Sequence, residues 1–162
     1  MATSPSPGIP FAQHPTLGHG GGADNSPGVE VPVSILVSAS LSATATVVLP
    51  GWDGCEYDVL GISIVSTTAD AQDDTDYWTL DLQDAGSDGT GTTSLFSTAP
   101  ASTTSGALDF STANVPSEHQ CDADARLGLQ YGLKLVMTKA ASATTLANVY
   151  ANIRIRVNVT GN

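Results

Sequence analysis

Seven aspartates stand between Asp70 and Asp88, within the stretch TTADAQDDTDYWTLDLQDAGSDGTGTT of residues 67–93. Carboxylates at that density could ligate a hard cation or form an acid–base pair for hydrolysis. Calcium takes about six to eight oxygen ligands, and an EF-hand loop needs D-x-[DN]-x-[DN]-G with a glutamate at its end. Asp74 and Asp76 have the spacing, but Tyr77 and Trp78 stand where the glycine turn belongs, and no glutamate occurs between Glu56 and Glu118. Asp84 and Asp88 lie beyond a strand-like run, roughly 20 Å away at strand rise. The two acidic groups therefore cannot share one ion. The metal reading that survives is a partial calcium site at Asp70, Asp73, Asp74 and Asp76. A solvated turn between two strands fits the same residues better, so no cofactor is expected.

The other reactive side chains are sparse. His14 and His19 sit in a Pro/Gly-rich stretch that offers no packing to orient them. His119 and Cys121 form an H-x-C pair that could supply a thiol and its base, but such a pair needs a rigid scaffold and an oxyanion donor. Zinc there would need Asp122, Asp124 or Cys55 as further ligands. No G-x-S-x-G elbow, P-loop or G-x-G-x-x-G is present. Carboxylate pairs abound, but they sit in turns rather than across a cleft, so a glycosidase would rest on counting alone. The chain reads as non-enzymatic.

What must position these residues is suggested by composition. At 162 residues, 41% apolar and only 13% charged, one domain with a Ser/Thr/Ala/Gly-rich surface is expected. A net charge of −11 argues against nucleic acid as a partner, since affinity there comes from Lys and Arg on phosphates. All sixteen acids precede Arg126 and all five bases follow Asp124, which allows complementary contacts between copies or between strands of one sheet. The start MATSPSPGIP lacks the features of a secretory signal, and VPVSILVSASLSATATVVLP is interrupted by Ser and Thr and reads as no membrane span. Cys55 and Cys121 are expected as reduced, partly buried thiols.

Residues 1–32 form a separate compositional zone, with six of the nine prolines, the run GHGGG, and few apolar side chains. It reads as an extended arm that a partner must hold, through Ile9, Pro10, Phe11, Leu17 and Val29. Residues 33–162 read as strands. Val149, Ala151, Ile153, Ile155, Val157 and Val159 alternate with polar residues, and Leu127, Leu129, Tyr131, Leu133, Leu135 and Met137 do so before them. Joined by AASATT, the two runs predict one long hairpin. Leu60, Ile62 and Ile64 mark another strand, and Trp78, Leu80 and Leu82 a further one with those side chains in the core. Shorter strands are expected at Ser34–Ser38, Thr44–Leu49, Thr93–Ser97 and near Leu108–Phe110, while His119–Leu127 is expected to form at most a turn. About eight strands and no helical period predict an all-β fold: an antiparallel β-sandwich, jelly-roll-like, preceded by the Pro/Gly-rich N-terminal arm. Trp52, in LPGWDGC, is the aromatic ring best placed for an exposed contact.

Two stretches, ISIVSTTADAQDDTDYWTLDLQDAGSDGTGTTSLFST and GLQYGLKLVMTKAASATTLANVYANIRIRV, resemble the capsid decoration (cement) and head-fibre proteins of tailed bacteriophages. The resemblance covers roughly residues 55–160, and its motifs are structural rather than catalytic. It implies a structural protein made in the host cytoplasm and carried on the outside of the virion. It would bind the head with the major capsid protein and itself, as a homotrimer, for partners, bridging the shell without touching nucleic acid or membrane. A glycan- or host-surface-binding module on a virion fibre is the alternative role.

Overall fold

The computed structural model describes residues 29–51, 55–122, 125–128 and 130–158. Trp52, Val159 and the arm residues Ile9, Pro10, Phe11 and Leu17 lie outside them.

Period-two alternation produces nine strands among the described residues. They are β1 (Val29–Leu41), β2 (Ala45–Leu49), β3 (Glu56–Val65), β4 (Trp78–Gly86), β5 (Thr93–Ser94), β6 (Ser117–Gln120), β7 (Arg126–Leu127), β8 (Gly132–Lys139) and β9 (Leu146–Asn158). One sheet has the order β1-β9-β3-β6, with β7 also on β3, and the other has β2-β8-β4-β5. All pairings are antiparallel. Successive strands mostly change sheet, which is the winding of a jelly roll. The fold is an all-β antiparallel sandwich.

Each sheet turns one apolar face inward because alternate side chains point to opposite faces. Tyr57, Val59, Ile62, Ile64, Val149, Ile153 and Ile155 come from the first sheet; Trp78, Leu80, Leu82, Leu133, Leu135 and Met137 come from the second. All are buried, and each stabilises the fold by about 1.5–3 kcal/mol relative to exposure. Trp78 also donates from its indole Nε1 to the Thr144 carbonyl at 3.0 Å, so its one polar group is satisfied.

Several expectations are corrected. The two C-terminal runs do not pair as a hairpin: β8 lies between β2 and β4, whereas β9 lies between β1 and β3. Alternation marks which side chains face the core, and two strands facing each other across it alternate as well as two lying side by side. The run before β8 is also split. Leu127 belongs to β7 on the first sheet, and the chain turns at Gly128–Tyr131 before entering the second, with Gln130 at φ 66° and Tyr131 left exposed.

In β3 a bulge between Val59 and Gly61 reverses the parity, so Tyr57 and Val59 are buried before it and Ile62 and Ile64 after it. Leu60, expected inward, is only half-buried. Gly61 is required there because a Cβ would run into the His119 carbonyl oxygen of β6. The segment expected to form at most a turn carries β6 and β7, and Leu108–Phe110 contributes only an isolated bridge, Asp70 to Phe110. Among the described residues, β1 already includes Val29–Pro32 ahead of Val33. Val29, Glu30, Val31 and Pro32 pair with Val157, Arg156, Ile155 and Arg154, so these four residues belong to the sandwich and not to the arm.

Candidate functional site

The aspartates of the acidic stretch point to different neighbours. Asp73 Oδ1 accepts from the backbone N–H groups of Thr75 and Asp76, at 2.6 and 2.9 Å, closing its own turn. Asp74 Oδ1 accepts from the N–H and hydroxyl of Thr104, at 2.9 and 2.7 Å, and so ties the turn to the 100–106 loop. Asp76 Oδ1 accepts from the N–H of Ser142, in the β8–β9 turn, at 2.8 Å. Asp70 is buried, its N–H donates to the Phe110 carbonyl, and its Oδ2 has no partner among the described residues. The next turn repeats the pattern, with Asp84 Oδ1 accepting from Gly86 N–H and Asp88 Oδ1 from Thr90 N–H and hydroxyl.

Electrostatics agree with this use of the carboxylates. The N–H groups of Asp76 and Thr75 hold the Asp73 carboxyl below the usual range, and the N–H and hydroxyl of Thr90 do the same for Asp88. Among the described residues no three His, Cys, Asp or Glu side chains converge as metal ligands. Asp73, Asp74 and Asp76 are thus turn acceptors that tie three loops together, whereas Asp70 contributes its backbone N–H.

His119 and Cys121 do not form a catalytic pair either. His119 is buried on β6, and its Nε2 lies 2.9 Å from the Ser117 hydroxyl, which also accepts from the Asp109 N–H at 3.0 Å. Burial lowers the His119 pKa, keeping the imidazole neutral. Burial also pushes the Cys121 thiol up to about 12, with Asp122 adding to the effect, so it is protonated at neutral pH and a poor nucleophile. Cys55 and Cys121 are both free, half-buried thiols. A shallow groove of about 540 Å³ runs past Cys121 and the Arg126–Asp58 ion pair, but Ser117 and His119 do not line it.

The segregated charges meet within the first sheet. Arg126 pairs with Asp58 at 2.9 Å and Arg156 with Glu30 at 3.0 Å, both partly exposed and worth little individually. These pairs mark one end of the sheet's outer face. At the other end, the register sets Leu36 and Val65 on either side of Tyr150. Leu36 and Tyr150 are about half exposed, 51% and 45%. Beside them runs a groove of about 350 Å³, with Ser34, Ser63 and Asn152 forming the adjacent row.

This apolar row was missed in the sequence. Its signal was an aromatic and two aliphatics at positions whose strand neighbours on the same face are polar. Val29, expected to contact a partner, is on β1 and 65% exposed.

No family model matches this chain, and no curated protein matches it. Among solved structures, a chain from a structure of infectious bursal disease virus, Gx strain, superposes with a TM-score of 0.42 and 12% identity. The overlap covers 82% of this chain and 33% of that one, so the chain spans about a third of the viral protein's length.

Proposed function

We propose that this protein is a non-enzymatic structural protein of a tailed-phage virion, which binds the outer surface of the head and stabilises it by bridging major capsid proteins. The observation that carries this reading is how the reactive side chains are used: the turn carboxylates cap backbone N–H groups, and His119 is sealed against Ser117. What remains available on the surface is an interaction face, the Leu36–Tyr150–Val65 row, on a jelly roll. The resemblance of residues 62–98 and 128–157 to decoration proteins supports the same role. Residues 1–28 would act as the capsid-gripping arm, the sandwich as the outer body, and a homotrimer as the assembled form. Several arms on one oligomer raise avidity through effective concentration.

Co-sedimentation with expanded capsids tests this. The full chain is expected to pellet with the capsids, and a chain lacking residues 1–28 to stay in the supernatant. Equal binding by the two would remove the arm from the reading. Virions imaged with and without the protein should differ by protrusions at three-fold or quasi-three-fold positions, and identical images would remove the head as its location.

A second reading is favoured by the groove beside Tyr150, where one exposed ring adjoins two hydroxyls and an amide. That chemistry suits a glycan, whose apolar face stacks on a ring while its hydroxyls bond polar groups. Saturable sugar binding lost on Tyr150→Ala, and independent of residues 1–28, would select it over the capsid.

A further inference from the structure

The sandwich has two open edges, and the chain closes one of them with its own loop. Between β5 and β6, Leu95, Phe96, Leu108 and Phe110 are buried in the core. Leu95 bridges the sheets there, donating to Leu82 and accepting from the Asp122 N–H, at 2.7 and 2.9 Å. At the opposite edge, β1 and β2 are the terminal strands of the two sheets. Val33, Ile35 and Val37 of β1, with Ala45, Val47 and Leu49 of β2, remain only partly buried. Their β9 neighbours in register, Ile153 and Ala151, are fully covered. Val31, opposite buried Ile155, is 37% exposed. With 13 residues against five, β1 overruns β2 and leaves an apolar seam. Glu30 and Pro32 guard only the start of this edge strand, and from Val33 to Leu41 β1 carries no charge and no proline.

We propose that Ile9–Leu17 of the same chain docks into this seam, with Phe11 packed between Val33, Ile35 and Val47. Composition favours this occupant. The far-edge segment LFSTAPASTTSGALDF sets Leu and Phe among Ser, Thr, Ala, Pro and Gly, and SPSPGIPFAQHPTLG sets Ile, Phe and Leu in the same surroundings.

Length and attachment favour it too. Residues 18–28 lead directly into Val29, the first residue of the seam's longer wall. The seventeen residues between Phe11 and Val29, five of the last eleven of them glycine, have an end-to-end distance of roughly 21–25 Å at Gly-rich flexibility. From Val29 to Val33 or Ile35 is about 14–20 Å at strand rise. A tether slightly longer than the span still gives a high effective concentration, which favours the chain's own segment over a neighbour's. The inference stands apart from the capsid reading, although a capsid that also uses Ile9 and Phe11 would have to draw them out of the seam.

The test is NMR on the full chain with labelled Ile, Leu and Val methyls. Cross-peaks are expected from the Phe11 ring to methyls of Val33, Ile35 and Val47, unchanged on tenfold dilution. Phe11→Ala should abolish them while the core methyls of Leu80, Leu135 and Ile153 keep their shifts. Absence of these cross-peaks from the full chain overturns the proposal. Cross-peaks found only between differently labelled copies also overturn it, because the occupant is then a second copy. So do contacts from the Trp52 ring in place of Phe11.

Discussion

The two edges of the sandwich differ in what finishes them. At the β5/β6 edge, residues 95–116 insert buried side chains and join both sheets through backbone hydrogen bonds. At the β1/β2 edge, strands with equally apolar inward faces stay half covered. Alternation makes a face apolar, but a neighbouring layer must reach over it before it becomes core. The acidic turn reaches the finished edge through Asp74, which holds the 100–106 loop, while Asp76 ties it to the β8–β9 turn.

The contrast can be broken hardest at the finished edge. Phe110→Ala should cost about 3–5 kcal/mol in urea denaturation, as expected for an aromatic truncated in a packed site. A loss below about 1 kcal/mol would mean that the 95–116 loop does not plug the core. At the other edge, Val33→Ala should cost about 1 kcal/mol in the full chain, and distinctly less when Phe11 is already Ala. Additive losses in that double-mutant cycle would separate the seam from the arm. Asp74→Ala should cost about 1 kcal/mol through its lost hydrogen bonds to Thr104, and adding calcium or chelator should leave the melting temperature of the unaltered protein unchanged. A calcium-dependent rise would restore the metal reading.

A smaller effect should appear with pH. His119 has its pKa lowered by burial, so the unfolded chain takes up a proton that the folded chain refuses. Stability should therefore be flat above the ordinary histidine range and fall as pH drops through it, with the slope reduced in His119→Gln. An unchanged slope in that variant would place the effect elsewhere. The smallest change is expected from Arg156→Ala, within about 0.5 kcal/mol, because its pair with Glu30 is exposed.

The sequence by itself determined the fold class and most of the core. Trp78, Leu80, Leu82, Leu133, Leu135, Met137, Ile153 and Ile155 were legible from alternation, and all are buried. It also showed that the aspartates lacked the spacing of one shared site. Only the tertiary structure decided which strands are neighbours, because the same alternation serves a hairpin partner and a strand in the opposing sheet. The Val59–Gly61 bulge hid the inward residues of β3, since an extra residue reverses parity without changing composition. The Leu36–Tyr150–Val65 row was hidden for a related reason. It is assembled across three strands distant in sequence, and long-range register alone brings those side chains together.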